Sequence, residues 1–200
     1  MNKARWPLLA ILILAGCASV RLADSWKEPS FAGPAPRNVL VVGVAASAAN
    51  RQILEDSLAT GLRSAGLQAV ASYTLTPAGG VVVRDQVKEA VGKAGADAVI
   101  VTRVLRAETR TQVVSNNAAS PYAGGYYGSG LYGWWGVSTA MPAAVLESDV
   151  LVLETTLWQV TTEKVVWGAT SEVFEPGAVL KSSTDLTQAL IARMRSDGVF

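Results

Sequence analysis

The sequence predicts an α/β fold. It is a single α/β sandwich in the order β-α-β-α-β, a Gly/aromatic insertion, then β-β-α, with one mixed sheet. Three observations predict it. The runs at 38–46 and 98–101 are continuous and Val-rich, which is the pattern of strands covered on both faces. The segments that follow the first two strands carry apolar residues at helical spacing, so the early strands pair in parallel. Late in the chain, two alternating stretches are separated only by Thr162-Glu163, short enough for an antiparallel hairpin.

The chain opens with Lys3 and Arg5, then an apolar run from Trp6 to Leu14 broken only by Pro7, then small residues and Cys17. This is the layout of a secretory signal. The run falls short of the about 20 residues that span a bilayer. Its ending, Leu14-Ala15-Gly16-Cys17, resembles the bacterial lipobox. That resemblance implies cleavage between Gly16 and Cys17, a diacylglycerol on the Cys17 sulfur, and acylation (palmitate-type) of the new amino terminus. Ala18 after the cysteine, in place of aspartate, fits sorting to the outer membrane. Cys17 is the only cysteine; acylation accounts for what would otherwise be an unpaired thiol in an exported protein.

Residues 1–16 are thus expected to be a lipoprotein signal peptide, 17–37 a lipid-anchored tether and 38–200 a periplasmic domain. The tether holds Pro29, Gly33, Pro34 and Pro36, which argue against regular structure. Trp26 is its exception, expected to dock on the domain or to touch lipid headgroups.

Within the domain, 38–46 is the first strand, and Ser47 or Asn50 caps the helix behind it. Ile53, Leu54, Leu58, Leu62 and Ala65 give that helix its stripe, and Gly66 ends it. The second strand covers 67–74. A second helix covers about 85–94, with Val87, Ala90, Val91 and Ala94 as its stripe, a Glu89–Lys93 pair and Gly95 at its end. The third strand starts at Ala98 and continues by alternation, Thr102, Val104, Arg106, Glu108 and Arg110 against Arg103, Leu105, Ala107 and Thr109.

Residues 115–144 are dense in Gly, Tyr and Trp and contain no charge. The next strand covers 147–161, with Val150, Val152, Glu154, Thr156 and Trp158 on one face and Leu151, Leu153, Thr155 and Leu157 on the other. Its hairpin partner covers 164–174. Ser183 or Thr184 caps a last helix that turns Leu186, Ala189, Leu190 and Met194 inward.

Composition narrows the chemistry. The chain has 17 basic and 16 acidic residues, and losing Lys3 and Arg5 with the leader leaves a net charge near −1. No basic field points to nucleic acid. Histidine is absent, so the commonest general base and transition-metal ligand is missing, and Cys17 is committed to lipid. No metal or other cofactor is expected.

From Asn38 onward the chain resembles a group of proteobacterial lipoproteins of unassigned function. The resemblance rests on Asn38-Val39-Leu40-Val41-Val42, on Arg51 with Glu55, on Gly95-Ala96-Asp97, and on Lys164-Val165-Val166-Trp167. More distantly it is similar to the periplasmic domain of the curli secretion channel lipoprotein and to the amino-terminal domain of the Tol-system translocation protein. The resemblance implies an envelope location and this strand and helix order.

Several candidate sites have plain structural readings. Glu55 and Asp56 are neighbours on a helix and diverge by about 100°, so they read as a solvated face rather than a catalytic pair. Val42-Gly43-Val44-Ala45-Ala46-Ser47 is neither a dinucleotide fingerprint nor a phosphate loop. Arg103, Arg106 and Arg110, with Glu108, read as cross-strand pairing with Glu154 or Glu172; a partner-holding cluster is the alternative. Trp158 and Trp167 read as core or cross-strand packing.

The candidate binding residues are Tyr122, Tyr126, Tyr127, Tyr132, Trp134 and Trp135. They suit a partner protein, a glycan or the membrane interface, and the bland alternative is a low-complexity loop. The expectation is a non-enzymatic binding or scaffolding module, held on the periplasmic face of the outer membrane by acylated Cys17. The alternative is a subunit of an oligomeric export channel, which would make the chain a homo-oligomer.

Overall fold

The computed structural model describes residues 19–31, 33–45, 47–76, 83–114 and 144–200. Six strands form one mixed sheet among these residues, in the order β1-β6-β5-β4-β2-β3. The strands are β1 (Val20–Lys27), β2 (Asn38–Val44), β3 (Gln68–Ala71), β4 (Ala98–Val114), β5 (Ala144–Gln159) and β6 (Lys164–Val173). The helices are α1 (Ala48–Ser64), α2 (Arg84–Ala94) and α3 (Val179–Ser196), and a 3-10 turn covers Ser72–Thr74. β2 pairs in parallel with β3 and β4. The pairs β4–β5, β5–β6 and β6–β1 are antiparallel. This is the mixed α/β architecture with a late hairpin that the sequence predicts.

The core lies between the sheet and the α1/α3 pair. Val39, Val41, Ile100, Leu157 and Trp167 from the sheet meet Leu58, Leu62, Leu186, Leu190 and Met194 from the helices. Each such leucine contributes ~1.5–3 kcal/mol on full burial. On the opposite face α2 covers only the β2–β4 region, where Leu40, Val42, Ala90 and Val99 form a smaller cluster. The helix boundaries follow local chemistry. Ser47 caps α1 by accepting from the backbone N–H of Asn50. Gly66, at φ +98°, lets the chain leave α1 with Leu67 N–H donating back to the Leu62 carbonyl.

Four features depart from the sequence reading. First, 17–37 is not a featureless tether: residues 20–27 form β1, paired along β6. The prolines that argued against structure all follow the strand. Trp26 sits on this edge strand and is 47% exposed, so it does not dock into the core. Second, α3 starts at Val179, ahead of Ser183 and Thr184, and Ala178 at its N-cap contributes no side-chain hydrogen bond. Third, the second predicted strand is short, because the chain turns at Ser72–Thr74. Fourth, a bulge between Val104 and Arg106 breaks the alternation of β4. Thr102 and Val104 face the helices, while Arg103, Arg106, Glu108 and Arg110 share the other face.

The longest strands are β4 and β5, and they remain paired from Ala98↔Gln159 to Val114↔Ala144. β2 accompanies β4 only as far as Arg103, and β6 accompanies β5 only from Leu151. Beyond those points the pair runs on as a two-stranded ribbon.

Candidate functional site

An open α/β sheet commonly takes ligands at the carboxyl ends of its strands, where successive connections leave in opposite directions. Here that point is the end of β2, since β3 and β4 lie on opposite sides of it. The protein fills it with its own side chains. Glu55 of α1 is fully buried, and Arg51, one turn earlier, is nearly so. Glu55 Oε1 accepts from Gly43 N–H at 2.9 Å, Arg51 Nε at 2.7 Å and Ser72 Oγ at 2.9 Å. Its Oε2 accepts from Tyr73 N–H at 2.8 Å. Arg51 Nη2 donates to Ser72 Oγ at 2.9 Å and Thr76 Oγ1 at 3.0 Å. The solvated-face reading is therefore wrong for Glu55: the carboxylate is spent on tying β2, α1 and the 3-10 turn together. It holds for Asp56, which accepts from the Tyr73 hydroxyl at the surface and raises the phenol pKa. The Arg at i−4 from the Glu is the sequence signal that distinguishes the two.

The uncovered side of the sheet carries an ion-pair ladder. Arg103 donates to Glu154, its partner across β4–β5, at 2.6 Å. Arg110 reaches Glu172 at 2.6 Å and Glu108 at 3.1 Å. Arg21 of β1 also pairs with Glu172, and Arg106 pairs with Glu108. The Arg110 guanidinium, then Arg21, holds the Glu172 carboxyl below its ordinary range despite desolvation. Arg106 and Arg110 do the same to Glu108. Both predicted pairings, with Glu154 and with Glu172, are present.

The two tryptophans part company: Trp167 is fully buried, whereas Trp158 is 38% exposed on the ladder's face, its indole N–H bonded to Thr156. Only Trp167 meets the core expectation. Its indole donates to Asp197 Oδ2 at 2.8 Å. Desolvation pushes the Asp197 pKa up, but hydrogen bonds from Trp167, Ser25 and Arg193 bring it below the ordinary value.

A groove of about 610 Å³ lies between α1 and α3, lined chiefly by small side chains around Gly61 and Thr187; Asp56 and Arg195 are its charged members. Among the described residues no three His, Cys, Asp or Glu side chains are grouped to hold a metal ion, and no helix is long and apolar enough to cross a membrane. Gly16, Cys17, Tyr122, Tyr126, Tyr127, Tyr132, Trp134 and Trp135 lie outside the described residues.

No protein-family model matches the chain, and no curated protein matches it. Similar solved structures include a variant PelC dodecamer from Paraburkholderia phytofirmans, at TM-score 0.45 and 16% identity over 86% of this chain and 94% of that one. A second PelC dodecamer from the same organism has TM-score 0.45 and 16% identity over 84% and 91%. Lipoprotein GNA1162 from Neisseria meningitidis has TM-score 0.44 and 14% identity over 80% and 99%.

Proposed function

We propose that the chain is a non-enzymatic binding or scaffolding module of the cell envelope, anchored through acylated Cys17 to the periplasmic face of the outer membrane. The observation that carries this reading is where the fold commits its polar groups. The crevice at the end of β2 is filled by the Arg51–Glu55 network, while β4 and β5 run past every neighbour as a ribbon. The ribbon leads directly into the segment that holds Tyr122 through Trp135. A ribbon that runs on past its neighbouring strands suits an adaptor whose task is to touch something else.

Two experiments test it. Cys17→Ser should leave an uncut, unacylated precursor; normal processing would refute the anchor. Deleting 122–135 should leave the thermal midpoint of the domain nearly unchanged and abolish crosslinks formed from the ribbon in intact cells. A collapsed fold would mean that the segment is core.

A second reading, a subunit of an oligomeric export channel, is favoured by one observation: both outer edges of the ribbon lack a partner strand among the described residues. Unpaired edges are templates for pairing between chains. Light scattering on the detergent-extracted protein separates the two: a ring-sized mass favours the channel, and a monomer or dimer the adaptor.

A further inference from the structure

β1 enters the sheet at the end from which the ribbon leaves. Val20 is level with Val173, Val173 with Leu151, and Leu151 with Ala107. From that row the ribbon continues for the seven residues after Ala107 to Val114, which at about 3.4 Å per residue is roughly 24 Å. Cys17 precedes Val20 by three residues, which extended span at most about 10 Å. Cys17 itself therefore cannot draw level with Val114, which lies roughly 14 Å beyond it when both point the same way.

The sequence matches that geometry. Arg110 and Glu147 are the last charges, and no Lys, Arg, Asp or Glu lies between them. Thr111 pairs with Glu147, so the charge-free part of the ribbon starts after the fourth residue beyond the row of Val20. That is roughly 14 Å, a few ångströms past the full reach of Cys17. Where the ribbon leaves the sheet, Val44, Val104 and Leu105 are exposed, and Leu180 at the start of α3 is 67% exposed.

We propose that the distal ribbon, beyond Arg110 and Glu147, rests in the lipid interface of the leaflet that holds acylated Cys17, so that the chain meets its membrane through two points instead of one. This rests on the lipid-anchored reading above. The ribbon does not enter the hydrocarbon, because its edges have no partner strand among the described residues and lipid cannot satisfy unpaired backbone groups. The interfacial layer is roughly 5–8 Å deep on each side, so a ribbon with this overshoot lies oblique to the membrane plane. The second point of contact fixes the orientation of the domain, presenting the β5–β6 turn at its far end to the periplasm.

The test uses the full chain, processed in cells and reconstituted in vesicles of phosphatidylethanolamine and phosphatidylglycerol. Because Cys17 is occupied by lipid, one introduced cysteine takes an environment-sensitive dye. Val113→Cys and Ala144→Cys place it on the distal ribbon, and Lys164→Cys places it at the opposite end. The ribbon dyes should shift to the blue and lose fluorescence to lipids that carry a quencher near the headgroup, with less loss to quenchers deep in the chains; the Lys164→Cys dye should change in neither respect. Mass spectrometry of the amino-terminal peptide from the same sample reports acylation. Acylated protein with unquenched ribbon dyes overturns this placement and leaves the anchor standing. An unacylated amino terminus overturns both. Strongest quenching near the bilayer centre also overturns the interfacial placement, and means that ribbon edges are paired between copies.

Discussion

Replacing Glu55 with alanine tests the central claim about the α/β crevice. The variant strands the Arg51 guanidinium where its side chain is 6% exposed. It also removes the acceptor of two backbone donors, Gly43 N–H and Tyr73 N–H. Breaking one side of a buried ion pair costs ~3–5 kcal/mol. For a domain of this size, at roughly 2–4 °C per kcal/mol, the midpoint should fall by roughly 6–20 °C. The double variant Arg51→Met/Glu55→Leu removes the stranded charge and leaves the orphaned backbone donors, each worth ~1–3 kcal/mol. It should therefore be more stable than the sum of the single variants predicts, and a double-mutant cycle by urea unfolding measures the difference. Single variants that cost less than about 1 kcal/mol would refute the buried network, being in the range of exposed pairs. Strict additivity would refute the coupling.

Three further outcomes follow from the packing. A Cβ on Gly61 would meet Thr187 Cγ2 at 2.3 Å and Ile191 Cδ1 at 2.8 Å, so Gly61→Ala should destabilise by ~1–3 kcal/mol despite better helix propensity. Thr187→Ser, which deletes the clashing methyl, should recover part of that loss, as thermal melts of the pair will show. Glu172, Asp185 and Asp197 have lowered pKa values and hold β1 and the residue before it through Arg21, Ser19 and Ser25. The unfolded chain then takes up protons before the folded one does. Their stabilisation is whole above the ordinary carboxylate pKa and is lost as pH falls through the lowered values. Hydrogen exchange should show β1 opening before β5 under acid. Lys27 Nζ donates to the carbonyls of Asp197 at 3.0 Å and Gly198 at 2.7 Å, so Lys27→Met should loosen the end of α3 by a margin typical of charge-assisted bonds, ~1.5–3 kcal/mol before solvent screening. Amide exchange at Val199 measures it.

The central strands and first two helices were legible because burial on both faces leaves a sequence no choice: Val39 to Val42 and Ala98 to Val101 can only be apolar. The edge of the sheet was not. Arg21, Asp24 and Lys27 make β1 look like linker, and its pairing with β6 is a contact across most of the chain that local pattern does not encode. The start of α3 was misplaced because the strongest capping residues, Ser183 and Thr184, lie inside the helix. Ser183 is buried there, and Thr184 bonds to the Leu180 carbonyl. The bulge before Arg106 reversed the faces of β4, so a period-2 reading that was right on either side of it was wrong across it. At the candidate site, adjacency in the sequence does not separate Glu55 from Asp56, although one is buried and the other meets Tyr73 at the surface.

The burial of Glu55 bears on how the fold divides its work. A carboxylate that accepts from two backbone N–H groups, a hydroxyl and a guanidinium occupies the same concentration of donors that would otherwise attract an anionic ligand at the end of β2. Opening that crevice would break the network that joins α1 to the turn after β3, so a binding event there would cost the domain much of its stability. The ribbon carries no such penalty. It leaves the sheet after Ala107, past the last pairing with β2 and β6, and can meet a membrane or a partner without opening the Arg51–Glu55 network. On the proposed reading, the rigid sheet serves as a mount: it sets the distance between the anchor and the ribbon, and that fixed offset orients the protein.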